Sequence, residues 1–334
     1  MKDEILSRIQ KKFPLTPKPF KAIADELEIS EDEVLSILKE QKDAKIIRQT
    51  SAIFDTKRLG YKSSLVAFKI AQEKIDEAVE TINAHPGVSH NYERNHDFNI
   101  WFTLAVAPDS KLGLEKTLEI LAELTGAEDY IMLPTLKLFK INVKLNTTGK
   151  DEKKEKVKKV EHKDIELTPL HHKIIRLAQY DIDIESEPFK KIVDELGIDY
   201  DKFFEILQEL QDAGVMRRFA AILNHRKAGF NANAMVVWDV EEGERGEEIG
   251  AKAAAFSAVS HCYLRPKYEN WPYNLFTMVH GKTTDETNAI IEDMAKEIQS
   301  KDYRPLYSSR EFKKVRIEYF TPEFEAWEDR YLKD

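Results

Sequence analysis

The sequence predicts an α+β protein in which one two-part unit is written twice, and three observations carry that expectation. The 334 residues exceed one ordinary domain of about 100–200 residues. Lys18 to Leu27 (KPFKAIADEL) returns as Glu187 to Leu196 (EPFKKIVDEL), 169 residues later. Within each copy, helical apolar spacing gives way to strand-like alternation. The repeat continues through Leu38/Leu207, Arg48/Arg217, Ile53/Ile222 and Gly60/Gly229, then Tyr130/Tyr303 and Phe139/Phe312 at slightly larger offsets, as loop insertions would produce.

In copy one, residues 3–12, 19–28 and 31–43 place Ile5 and Ile9, then Phe20, Ile23 and Leu27, then Val34, Leu35 and Leu38 at helical spacing. Pro19 suits a first helical turn, and Ser30 suits an N-cap. Ile46 to Phe54, followed by Asp55 and Gly60, predicts a short hairpin. Three helices and a hairpin make a winged helix-turn-helix over 1–60, repeated over 165–229. Strand 62–70, helix 73–84, strands 88–95 and 97–106, helix 112–125 and strand 129–145 follow. Copy two repeats them as 231–239, 244–256, 259–265, 273–280, 283–299 and 303–320, before a terminal helix 322–332. That βαββαβ order predicts ferredoxin-like sandwiches over 61–145 and 230–334, each leaving one sheet face to water, a partner or a ligand. Residues 146–164 are almost entirely charged and predict a solvated spacer.

Composition narrows the function. Lys+Arg number 51 and Asp+Glu 60, for a net charge of -9, with 42% hydrophobic residues. The single cysteine, Cys262, excludes a disulfide framework and any multi-cysteine metal site. No long apolar run and no leader-like start are present, so a cytoplasmic protein without membrane contact is expected. The fold resembles the leucine-responsive, asparagine-type transcription regulators, whose reading helix meets phosphates. Here residues 31–43 carry Glu31, Asp32, Glu33, Glu40 and Asp43 against Lys39 and Lys42, and residues 199–213 carry five carboxylates and one lysine. A phosphate wall repels both helices, so DNA is not an expected partner.

The candidate chemistry lies on the second strand of each sandwich. Val88-Ser89-His90-Asn91-Tyr92-Glu93-Arg94 matches Val259-Ser260-His261-Cys262-Tyr263-Leu264-Arg265. Alternation puts His90, Tyr92 and Arg94 on one face, and His261, Tyr263 and Arg265 likewise. His supplies a proton or binds iron, Tyr hydrogen-bonds or stacks, and Arg forks onto a carboxylate. A dimer interface uses the same residue types. Tyr268, Trp271 and Tyr273 follow in a Pro-rich connection, either as a wall for a flat ligand or as a self-packed tip. Arg48, Arg217, Arg218, Lys137, Arg310 and Arg316 are candidates for an anion-collecting groove, and His96 is a further histidine without a counterpart in copy two.

FPLTPKPF, GVSHNYERNHDFNIWFTL and HCYLRPKYENWPYNLFTMVHG resemble the signatures of the sirohaem decarboxylases, with the first half similar to one subunit and the second half to the other. The resemblance implies removal of two acetate carboxyl groups from sirohaem, giving didecarboxysirohaem, with no cofactor beyond the iron that enters with the substrate. It makes His90 and His261 the leading acids, then Tyr92, Tyr263 and His96. Arg94, Arg265, Tyr268, Trp271 and the other basic residues become substrate-binding candidates, and His90 or His261 a possible axial ligand to the substrate iron. Pairing of the two halves with each other is expected, with further dimerisation open. A ligand- or haem-sensing regulator and a haem carrier are the competing functions.

Overall fold

A computed structural model describes residues 1–141, 163–223, 232–300 and 302–332. The charged spacer, apart from Lys163 and Asp164, lies outside the described residues, as does the junction at 229–230. The chain divides into two compact units, each built from both copies.

The first unit contains α1 (Lys2–Lys11), α2 (Pro19–Glu26), α3 (Glu31–Asp43) and β1 (Ile47–Phe54), with α6 (Pro169–Ala178), α7 (Lys190–Leu196), α8 (Tyr200–Asp212) and β7 (Met216–Leu223). Ser30 caps α3 by accepting from the Glu33 N–H at 3.2 Å, and Asp199 caps α8 from the Lys202 N–H at 2.8 Å; each satisfies a donor the helix leaves open. Phe13 of copy one packs against Phe189 and Phe219 of copy two, with centroids 6.3 and 5.2 Å apart. One core therefore serves both copies.

The expected wing hairpins do not form among the described residues. Each copy supplies one strand, and β1 pairs antiparallel with β7. The chain turns after β1 instead of returning: the Leu59 N–H bonds to the Asp55 carbonyl and the Tyr61 N–H to the Thr56 carbonyl.

In the second unit, copy one gives β2 (Lys62–Lys69), α4 (Ile75–Asn83), β3 (Val88–Arg94), β4 (Ile100–Val106), α5 (Gly113–Thr125), β5 (Asp129–Leu133) and β6 (Lys137–Ile141). Copy two gives β8 (Ala232–Asp239), α9 (Glu244–Ala255), β9 (Val259–Leu264), β10 (Leu275–Gly281), α10 (Thr284–Ile298) and β11 (Asp302–Lys314), before α11 (Pro322–Glu328). The strands form one nine-stranded sheet ordered β5-β2-β4-β3-β11-β8-β10-β9-β6. Two ferredoxin-like sheets are thus stitched strand to strand. The expected strand 129–145 is split. Pro134, which lacks an N–H, separates β5, paired with β2, from β6, paired with β9 of the other copy. Its counterpart β11 stays continuous, pairing with β8 and then with β3.

The uncovered faces are not left open at their centre. Trp101 and Ala67 of copy one share a buried cluster with Met235, Trp271 and Phe276 of copy two. Trp101 and Trp271 lie 5.3 Å apart, a contact worth about 0.5–1.5 kcal/mol beyond area burial. The helical faces hold separate cores, around Phe68 and Phe102 in one sheet and Trp238 and Val279 in the other.

Candidate active site

Strand alternation places the predicted rows as the residue types require. Asn91 and Cys262 point to the helices: the Asn91 Nδ2 donates to Asn83 Oδ1 at 3.0 Å, and the buried Cys262 thiol donates to the Gly250 carbonyl at 3.5 Å. His90, Tyr92 and Arg94 occupy the other face of β3. His261, Tyr263 and Arg265 occupy that of β9 and its continuation. Within each row the rings stack, His90 on Tyr92 at 6.4 Å and His261 on Tyr263 at 6.2 Å. Each arginine lies over its tyrosine, at 5.5 Å for Arg94 and 4.9 Å for Arg265.

Arg94 is a buried cation and Arg265 a partly buried one, neither with a carboxylate among the described residues. Arg94 Nη1 donates to the Leu306 carbonyl at 2.9 Å, and Arg265 Nη1 donates to the Leu133 carbonyl, each on the last strand pair of the opposite copy. Among the described residues neither makes an ion pair, and the Nε of each is buried without a partner. Burial pushes both guanidinium pKa values down to about 10. Arg265 Nη1 also reaches the Thr135 hydroxyl at 3.3 Å. A buried charge held by neutral acceptors alone is a standing electrostatic penalty, which an arriving carboxylate relieves with a bidentate, charge-assisted contact.

The histidines are held by hydroxyl groups that a bulge in each strand brings beneath them. Ser89 Oγ meets His90 Nδ1 at 3.0 Å and Thr103 Oγ1 at 2.7 Å. Ser260 Oγ meets His261 Nδ1 at 2.7 Å and His280 Nε2 at 2.6 Å, and His280 Nδ1 meets Asn233 Oδ1 at 2.8 Å. Burial lowers the pKa of His90, His261 and His280 below the usual imidazole value. Burial raises those of Tyr92 and Tyr263. The lowered values favour the neutral imidazole near pH 7, and negative charge brought beside the histidines favours protonation.

Other expected site residues belong to the first unit or are already engaged. Arg48, Arg217 and Arg218 belong to the first unit, where Arg217 pairs with Asp55 at 2.8 Å. Lys137 turns to α9 and pairs with Glu247, and Arg310 pairs with Asp76 at 2.9 Å and with Glu93. Carboxylates distant in sequence thus engage Arg217, Lys137 and Arg310. Arg316 is exposed just beyond β11. Trp271 is fully buried in the core between the copies rather than forming a ligand wall. Tyr268 is partly exposed, and its hydroxyl donates to the Met132 carbonyl. His96 packs edge-on to Trp271 at 5.3 Å, and its Nδ1 accepts from the Phe98 N–H at 3.0 Å, so it serves the turn after β3. Among the described residues, no cluster of three or more His, Cys, Asp or Glu could hold a metal, and no helix is long and apolar enough to cross a membrane.

Sequence reasoning missed Ser260, His280 and Asn233. Their signal was a histidine at the end of the alternating set Phe276, Met278 and His280. It has no partner in copy one, where Ala105 takes the equivalent place.

Comparison with known proteins gives the same architecture. Residues 58–140 and 227–313 match the family model described as "AsnC-like ligand binding domain". Residues 2–48 and 171–217 match the "Siroheme decarboxylase NirDL-like HTH domain". The chain is 42% identical to the "Siroheme decarboxylase" of Hydrogenobacter thermophilus, over 97% of this chain and 96% of that protein. It is 43% identical to the "Siroheme decarboxylase beta subunit" of Methanosarcina barkeri, over 43% of this chain and 95% of that subunit. Its fold superposes with a TM-score of 0.80, at 37% identity, on the crystal structure of the siroheme decarboxylase NirDL in co-complex with an iron-uroporphyrin III analogue, covering 98% of this chain and 97% of that one. A duplicated helical and sheet unit, long enough in one chain to span what is a separate subunit elsewhere, belongs to the sirohaem decarboxylase family in its single-chain form.

Proposed function

We propose that the chain removes the carboxyl groups from two acetate side chains of sirohaem, releasing carbon dioxide and giving didecarboxysirohaem. The observation that carries this reading is the doubled row in which an arginine without a carboxylate lies beside a stacked tyrosine and histidine. In each step the bond from the acetate methylene to its carboxyl carbon breaks. Carbon dioxide leaves, and the bonding electrons pass to the methylene carbon and the adjoining pyrrole. One proton then completes the new methyl group.

The row divides that work. Arg94 and Arg265 bind carboxylates and orient the macrocycle, a positioning role. His90 and His261 are suited to proton delivery, since a polyanionic substrate raises their depressed pKa values on arrival. Tyr92 and Tyr263 stack on the histidines, and their raised pKa values keep them protonated. The iron remains with the substrate, and no further cofactor is invoked.

Anaerobic incubation with sirohaem, followed by absorbance and mass, tests the reading. The mass should fall by two carbon dioxide units. A carrier would leave the mass unchanged, and a regulator would instead shift genomic DNA fragments in a gel. If His90→Ala and His261→Ala each keep the wild-type rate, the histidines are not the proton donors.

A further inference from the structure

The two rows match in their His, Tyr and Arg residues and in the serine beneath each histidine, and differ in the strands that border them. Across from the β9 row runs β6, with Leu138 opposite Tyr263 and Ile141 opposite His261. Both are large apolar side chains left exposed, at 48% and 55%. Across from the β3 row runs the second half of β11, with Glu311 opposite Tyr92 and Lys314 opposite His90. Glu311 pairs with Lys314 at 3.7 Å. Its carboxylate acts on the Tyr92 hydroxyl both by charge and by hydrogen bonding. One row is thus bordered by an apolar strip, the other by a carboxylate and an ammonium group.

The support beneath the histidines differs as well. On β9 the chain of contacts has a direction. Asn233 Oδ1 can only accept, so His280 Nδ1 carries the proton and His280 Nε2 is the acceptor. The Ser260 hydroxyl then donates to His280 Nε2, and its oxygen accepts from His261 Nδ1–H. This fixes the tautomer of His261 and leaves its Nε2 as the atom that gains and gives the reacting proton. On β3 the chain ends at the Thr103 hydroxyl, which accepts from the His90 backbone N–H at 3.2 Å and can still donate to or accept from Ser89, so this chain of contacts does not select a tautomer of His90.

We propose that the rows are functionally unequal. The β9 row seats the macrocycle on Leu138 and Ile141 and delivers the proton through His261, held by Ser260, His280 and Asn233, whereas the β3 row, bordered by the Glu311–Lys314 pair, lacks that apolar seat. The proposal rests on the sirohaem reading for the identity of the ligand. A flat apolar macrocycle fringed with carboxylates matches an exposed apolar strip beside an uncompensated arginine. At the β3 row the same apolar ring would have to cover the charged Glu311–Lys314 pair, and desolvating that pair is unfavourable. His280 is a positioning residue, since it acts through Ser260 and His261.

Titration of the whole chain with sirohaem, read by absorbance, tests the proposal whether or not turnover follows. One macrocycle per chain should bind tightly. Leu138→Glu should weaken that binding about tenfold or more, and Ile141→Glu, at a second exposed position, should act in the same direction. Glu311→Leu should leave the affinity of this site within about twofold. Two equal sites per chain, or weakening by Glu311→Leu with Leu138→Glu unaffected, would overturn the assignment. For the histidine chain, His280→Ala should lower kcat about tenfold with KM within about twofold, and should move the pH profile of kcat. His280→Gln, whose amide oxygen still accepts from Ser260, should recover part of the rate. An unchanged pH profile in His280→Ala overturns the positioning role. A wild-type chain that binds sirohaem without losing carbon dioxide would refute the decarboxylase reading while leaving the binding asymmetry standing.

Discussion

Replacing Arg265 by methionine separates a structural guanidinium from a substrate-receiving one. The methionine keeps much of the aliphatic stem and removes the charge. Burial drives the Arg265 pKa from its ordinary value down to about 10, which corresponds to roughly 3 kcal/mol of unfavourable charge burial. The substitution relieves that penalty. It also removes the charged hydrogen bond to the Leu133 carbonyl, worth about 1.5–3 kcal/mol. The two effects oppose, so the stability of the empty protein should change by less than about 1.5 kcal/mol. Binding should respond differently. Sirohaem at about 100 times its Kd stabilises the wild type by roughly 2.7 kcal/mol, and a hundredfold loss of affinity cuts that to about 0.4 kcal/mol. Chemical denaturation with and without sirohaem measures both quantities. A loss of more than about 3 kcal/mol in the empty variant, with ligand stabilisation retained, would show that Arg265 is a structural post and refute the reasoning.

Further outcomes follow from the same geometry. Because burial lowers the pKa of His261, the acid required for proton delivery is lost as pH rises. The limb of kcat/KM should therefore fall below the usual imidazole value, and the limb of kcat, measured with the polyanion bound, should lie higher; coincident limbs would contradict this. His85 is buried against Trp327 at 4.4 Å, accepts from the Gly87 N–H, and has its pKa lowered by burial to about 3. Its folded pKa lies below the unfolded one, so its contribution is complete above about pH 6.5 and drains as pH falls towards 3. Roughly 2 kcal/mol should be lost between pH 6.5 and 5, and denaturation of His85→Gln should show a correspondingly shallower acid slope. Trp271→Ala should cost about 3–5 kcal/mol in unfolding experiments, as a core truncation between the copies; a loss under 1 kcal/mol would argue that the indole is not a core element. Gly87→Ala should destabilise the start of β3, since a Cβ there would lie 1.8 Å from the Ala105 carbonyl oxygen.

The repeat made the architecture legible. Pattern KPFKAIADEL and its echo fixed the count of units, and alternation along Val88–Arg94 and Val259–Arg265 correctly assigned the face of every row residue. Neighbours were not legible, because alternation states which way a side chain points and not which strand lies alongside. β1 was expected to fold back on its own copy and pairs with β7 instead. A single strand was expected over 129–145, yet Pro134 divides it between two partners. The partners of the basic residues were hidden for the same reason. Lys137 and Arg310 were counted as available, whereas Glu247, Asp76 and Glu93 reach them through the fold. Trp271 was weighed as a ligand wall because it stands in a loop of aromatics, and the second sheet that buries it could not be seen in a local window. His280 escaped notice because it lies on the strand beside the His-Tyr-Arg row rather than in it, and Ala105 stands in its place in copy one.

Mass spectrometry of sirohaem after anaerobic single-turnover incubation, comparing the wild type with His261→Ala, tests the central claim most directly. The wild type should yield a product lighter by two carbon dioxide units, and His261→Ala should bind sirohaem with near-normal affinity yet lose at least about a hundredfold in rate. Unchanged substrate mass in the wild type, or a wild-type rate in His261→Ala, would contradict the account.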